Sequence, residues 1–132
     1  MAQACRGGEV FELVSDLGGG KTAFVRGMAE GISTNDEVSS PSFTINNTYI
    51  GSTLTLEHFD FYRLSEAGVV ASELQEDIYS PNTIVVVEWG DIVHDILPPT
   101  TIRVRITPNE ADERYFTFTY SPNFEYLFEG VV

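Results

Sequence analysis

The eight residues SDLGGGKT, 15–22, carry the densest chemistry in the chain. They match the phosphate-binding pattern G-x-x-x-x-G-K-[ST] at every fixed position except the first, where Ser15 stands in place of glycine. Each part of the pattern has a physical task. The backbone N–H groups of Asp16, Leu17, Gly18, Gly19 and Gly20 can turn inward on phosphate oxygens, because glycine tolerates the backbone angles this requires. Lys21, the only lysine in the chain, brings a compact positive charge on a flexible stem. Thr22 supplies a hydroxyl for Mg²⁺. Together they point to a nucleoside triphosphate held by its phosphates. Ser15 is small and turns readily, so its expected effect is a modest loss of affinity.

Two carboxylates further along suit the same chemistry. Asp60 lies in HFDFYRL, 58–64, and, if that segment continues a strand, shares a face with His58 and Tyr62 while Phe59, Phe61 and Leu64 tend to the other or to the exit. Asp60 can serve a metal or a water, or simply pair with a nearby arginine. His58 reads as a hydrogen-bonding structural residue and not as a base. Glu88 closes the β-branched run in TIVVVEWGD, 83–91, at the carboxyl end of an expected central strand, where open α/β sheets place ligand chemistry. There it can hold Mg²⁺ through water or orient an attacking water. Trp89, the only tryptophan, either anchors the core or covers the nucleotide. Ser42 belongs to a hydroxyl-rich loop, VSSPSFT at 38–44, which either makes turns or reaches the γ-phosphate and metal.

The elements needed to position these groups are visible in the hydrophobic pattern. VFELV, 10–14, reads as a buried strand, and Phe24, Val25, Met28, Ala29 and Ile32 recur at helical spacing behind the glycines. Strand, glycine-rich turn, helix is the setting that the phosphate loop requires. FTINNTYI and TLTLEHF predict a hairpin turning at Gly51-Ser52. TTIRVRIT and RYFTFTY predict a second antiparallel pair joined by PNEADE, with Arg103 and Arg105 on one face and Ile102, Val104 and Ile106 on the other. The tail NFEYLFEGVV predicts a short amphipathic helix.

Composition narrows the setting. A chain of 132 residues fits one domain, 1–132. No apolar run is long enough to span a bilayer, and MAQACRGGEVF has no apolar core of signal-peptide length. Cys5 is the only cysteine, so neither an internal disulfide nor a cysteine metal site is available, and a reducing, cytoplasmic location is expected. With 20 acidic residues against 7 basic and a net charge of −13, the surface repels nucleic-acid phosphates, and strong direct binding to tRNA or DNA is not expected. The acidity either serves solubility alone or favours a basic protein partner.

The order SDLGGGKTAFVRG, SSPSFT, HFDFYRL, VVVEW, LPPTTIRVRI resembles the TsaE (YjeE) family, from about Glu9 to Tyr120. The resemblance implies an α/β fold of the P-loop NTPase kind, with a mixed sheet, flanking helices and antiparallel C-terminal strands. It implies a small bacterial ATPase using ATP and Mg²⁺, acting with TsaD and TsaB in placing threonylcarbamoyl on an adenosine beside the tRNA anticodon. By match, Lys21 contacts phosphates, Thr22 and Glu88 serve the metal, and Asp60 is the aspartate of the H-x-D-x-Y-R block. Ser42 stands where the family usually has threonine, Trp89 matches a tryptophan beside the nucleotide, and Arg114 corresponds to a late arginine near it. Beyond Ser15, the stretch before Glu9 is short for the family, which usually begins with a further strand and helix framing the adenine; weaker nucleotide affinity and an open sheet edge are the expected costs. Two activities remain open: a Mg²⁺-dependent ATPase, slow alone and stimulated on its partner, or a nucleotide-gated binding module with little hydrolysis. A small-molecule kinase is disfavoured, since no arginine-rich lid follows the central strand.

Overall fold

The computed structural model describes residues 2–15, 20–34, 46–61, 68, 70–108 and 113–129. Its centre is a six-stranded mixed sheet. The strands are β1 (Val10–Val14), β2 (Asn46–Ile50), β3 (Thr55–Asp60), β4 (Thr83–Glu88), β5 (Ile102–Pro108) and β6 (Arg114–Thr119), in the spatial order β2-β3-β4-β1-β5-β6. The four inner strands are parallel, and the two edge strands run antiparallel to their neighbours.

The sequence pattern explains this order. β4, TIVVVE, is buried along its whole length because helices cover both faces of the sheet there. One face packs Phe11, Leu13, Leu56, Ile84, Val86, Ile102 and Val104 against helix α1 (Lys21–Gly31) through Val25, Met28 and Ala29. The other packs Val10, Phe59, Phe61, Val85 and Val87 against α2 (Val70–Ile78) through Leu74 and Ile78. β5 and β6 form the expected antiparallel pair, with Ile102, Val104 and Ile106 buried and Arg103 and Arg105 exposed. The hairpin of β2 and β3 forms as well, although its connection runs over 51–54 and is closed by Gly51 N–H donating to the Leu54 carbonyl at 2.8 Å. α2 carries its apolar residues at Val70, Leu74 and Ile78, one helical turn apart, a signal absent from the sequence reading above.

The expected tail helix forms as a 3-10 helix over Pro122–Phe128, with Ser121 Oγ accepting from Asn123 N–H. Three residues per turn brings Phe124 and Leu127 onto the same side, against the α1 face. This tail also secures the start of β1. Glu9, fully buried, accepts from the N–H groups of Arg6 (2.8 Å) and Gly7 (2.9 Å) and from the Tyr126 hydroxyl (2.6 Å). The Arg6 guanidinium lies 3.9 Å from the centre of the Tyr126 ring. Burial, and then the hydrogen bond to Glu9, hold the Tyr126 hydroxyl well above its ordinary pKa; burial pushes the Cys5 thiol up to about 12.

β1 and β4 lie side by side at the middle of the sheet. From β1 the chain runs through α1 toward β2 and β3; from β4 it crosses the other way to β5. Ligands bind at the carboxyl ends of strands at such a divide.

Candidate functional site

The site is assembled at that divide. β1 ends at Val14 and Ser15; the following positions 16–19, which include the expected phosphate-binding Asp16, Leu17, Gly18 and Gly19, lie outside the described residues, as does Ser42. The described chain resumes at Gly20, which caps α1 with φ 98° and ψ 13°. That left-handed conformation suits glycine, which has no side chain with which to cap the helix; N–H groups at a helix start can serve an anionic ligand. Thr22 follows as the second residue of α1 and is half-buried.

Lys21 opens the helix and is only 9% exposed. Its ammonium lies 3.8 Å from Glu88 Oε1 and 4.5 Å from the centre of the Trp89 ring. An unpaired buried ammonium would be costly, and the carboxylate and the aromatic face together offset that cost. Glu88 is the last residue of β4 and only 4% exposed. Its other oxygen, Oε2, is 2.6 Å from His58 Nε2 on β3. His58 is fully buried, and among the described residues its Nδ1 has no hydrogen-bond partner. A proton on Nδ1 would therefore be buried without an acceptor, so the ring proton belongs on Nε2 and is donated to Glu88. The expectation of a hydrogen-bonding histidine is met, and its partner is a carboxylate of the site.

The register of β3 and β4 pairs Asp60 with Glu88, so both expected carboxylates stand together at the strand ends. β3 stops at Asp60. Phe59 and Phe61 stack at 6.0 Å between ring centres in the α2 face, as the alternation predicted; Tyr62 and Leu64 lie outside the described residues.

Trp89 takes a left-handed backbone conformation, φ 55° and ψ 49°, which is rare for a bulky residue and costs about 1–2 kcal/mol. Strain of this kind concentrates at functional sites. Its ring lies over the Lys21 ammonium and also packs against the α2-face core, so it touches both the core and the cleft. Arg114, at the start of β6, has its Nε 3.8 Å from where a Cβ on Gly20 would sit, so its side chain lies beside the start of α1.

A cleft of about 340 Å³ opens beside Lys21 and Trp89, bounded by Ser15, Arg103, Arg105, Asp91 and His94 among others. Arg103 Nε donates to Glu12 Oε1 at 3.0 Å. Lys21, Arg103 and Arg105 line the cleft beside the carboxylates of Glu12 and Asp91, so the lining is mixed in charge where the chain as a whole is strongly acidic. Alternation placed both arginines on one strand face, but only the strand order, with β5 beside β1, brings them to the cleft beside Lys21.

Comparison with known proteins gives a consistent picture. A family model described as threonylcarbamoyl adenosine biosynthesis protein TsaE matches residues 1–116. A Bacillus subtilis protein named tRNA threonylcarbamoyladenosine biosynthesis protein TsaE is 37% identical over 113 residues, covering 85% of this chain and 70% of its own. A protein of the same name from Streptomyces coelicolor is 34% identical over 125 residues, covering 90% and 84%. The crystal structure of Bacillus subtilis YdiB superimposes with a TM-score of 0.76 at 33% identity, over 98% of this chain and 80% of that one.

Proposed function

This chain belongs to the TsaE family, and we propose that it binds and hydrolyses ATP with Mg²⁺ in support of the threonylcarbamoyl modification of tRNA adenosine beside the anticodon. The observation that carries the reading is the placement of the solitary lysine at the start of α1, against Glu88 and Trp89. In this reading Lys21 and the first N–H groups of α1 hold the phosphates. Lys21 exchanges a carboxylate oxygen for phosphate oxygens, with little change in its surroundings.

The residues present suit Mg²⁺. The metal prefers oxygen donors, and the Thr22 hydroxyl and the carboxylate of Glu88, whose Oε1 faces Lys21, supply them at the same end of the sheet. Bound there, Mg²⁺ would neutralise charge developing on the phosphates. Thr22 and Glu88 would hold it, Asp60 or Glu88 would orient the attacking water, and Arg114 and Trp89 would border the nucleotide. An acidic chain is suited to act on tRNA indirectly, through TsaD- and TsaB-type partners that contact the nucleic acid, in the cytoplasm. Among the described residues, no helix is long and apolar enough to cross a membrane.

A second reading has its own support. Both oxygens of Glu88 are engaged, one by His58 and one by Lys21, which favours a role in holding over one in proton transfer. On that reading the chain is a nucleotide-gated interaction module with little hydrolysis. Phosphate release by the wild-type chain and by Glu88→Ala, each with and without the partner proteins, separates the two. The ATPase reading expects release that rises with partner and is lost in Glu88→Ala together with tRNA modification. Modification that survives in a hydrolysis-dead Glu88→Ala variant would refute it in favour of the gated module.

A further inference from the structure

We propose that His58 is a positioning residue that holds the Glu88 carboxylate in one orientation, with one oxygen turned toward the metal and phosphates; the inference deepens the nucleotide-binding reading above and rests on it. The last torsion of a glutamate side chain is broad, so a carboxylate at the end of β4 would by itself sweep a wide range of orientations toward the site. Glu88 does not have that freedom. His58 and Glu88 stand on adjacent parallel strands, with His58 opposite Val86 and Asp60 opposite Glu88. His58 and Glu88 point to the same face of the sheet, the one covered by α1. The 2.6 Å contact from Nε2 to Oε2 is a short, charge-assisted hydrogen bond in a place nearly closed to water. With Oε2 held from behind, Oε1 is the oxygen left facing Lys21.

The orientation of the ring itself is decided by its surroundings. Nδ1 is buried and has no partner among the described residues, while Nε2 is engaged by Glu88. A histidine kept for packing alone would be replaced at lower cost by an apolar side chain, since an unmatched ring nitrogen in the core is unfavourable. Outer groups that orient a metal-associated carboxylate commonly contribute 10–100-fold to metal affinity.

Calorimetric titration with ATP, in excess Mg²⁺ and again in EDTA, tests this on four proteins: wild type, His58→Leu, His58→Gln and Glu88→Gln. The Gln amide N–H reaches about as far as Nε2 and can still donate to Glu88. His58→Leu is expected to weaken ATP binding in Mg²⁺ by about 10–100-fold while leaving binding in EDTA near the wild-type value. His58→Gln is expected to recover most of the loss, and His58→Leu placed on Glu88→Gln to add little, as befits a residue that acts through its partner. His58→Leu that binds like wild type in Mg²⁺, that loses affinity equally with and without the metal, or that adds its full effect to Glu88→Gln would overturn the proposal. If circular dichroism shows that His58→Leu is unfolded, His58→Asn takes its place, because its shorter amide cannot reach Glu88; the same outcomes apply. A wild-type chain with no Mg²⁺-dependent ATP binding would overturn the functional reading, and this inference with it. Normal wild-type binding with an indifferent His58→Leu overturns this inference alone.

Discussion

Replacing Lys21 with alanine separates what this residue does for the fold from what it does for a ligand. In the free protein its ammonium is 3.8 Å from Glu88 Oε1. At an effective dielectric of 20, Coulomb's law gives that pair about 4 kcal/mol of gross attraction. Most of it is cancelled by the cost of withdrawing both charges from water, and removing the lysine removes its share of that cost. Glu88 also keeps the His58 hydrogen bond. Glu88 is left buried with one partner fewer, so the net loss of stability is expected to be about 3 kcal/mol, at the low end for a broken buried pair, lowering Tm by roughly 11 °C. The effect on ATP is read separately. Two hydrogen bonds from an ammonium to phosphate oxygens, each contributing about 1.5–3 kcal/mol, weaken binding by about 10²–10⁴-fold when lost. Calorimetry with Mg·ATP, beside a thermal melt of the same sample, measures both quantities. A Lys21→Ala chain that melts within these limits and no longer binds ATP supports the assignment. One that binds within a few-fold of wild type would refute it, whatever its stability.

Two predictions concern the frame instead of the site. Tyr126→Phe removes one of the three donors to buried Glu9 and is expected to cost about 2 kcal/mol, a fall of roughly 8 °C in a thermal melt; an unchanged Tm would contradict the description of that clamp. Asp77 has its carboxyl pushed up to about 6, by burial first and then by Glu57, Glu76 and Glu73. The folded state thus holds this proton more tightly than the unfolded chain does, so the contribution of Asp77 to stability is greatest below pH 4 and declines as pH rises through about 6. Asp77→Asn should accordingly raise Tm at pH 7.5 relative to wild type and flatten the decline between pH 4 and 6.5, while a variant that is less stable at pH 7.5 would count against the sign.

Local pattern made much of the fold legible. The unbroken apolar run of β4, the alternation in β5 and β6 and the 3.6-residue spacing in α1 each depend on neighbours in sequence, and each formed where expected. The Lys-Thr pair behind glycines located one half of the site, and Glu88 at the end of a buried strand located the other. Contacts between distant residues were not legible. Nothing in HFDFYRL says that His58 will meet a carboxylate 30 residues later, and nothing in the first nine residues says that Glu9 will be closed over by Tyr126, 117 residues away. The Arg103 and Arg105 face reached the site only through strand order, which periodicity does not specify. The tail shows a finer limit: apolar spacing revealed a helix, while the choice between 3-10 and α turned on how Phe124 and Leu127 meet the α1 face.

The position of β1 has a consequence for how the molecule is made. Phe11 is paired with Val86 on one side and Ile102 on the other, so β1 must wait for β4 and β5, both made later. Until then VFELV is an apolar segment with two bare edges in a growing chain, open to pairing with whatever is nearby. Both pairings of β1 join residues far apart in sequence, the kind of contact that slows folding. Conditions that stall translation before β5 should therefore yield aggregated nascent chains, whereas the β2–β3 hairpin can form early and harmlessly.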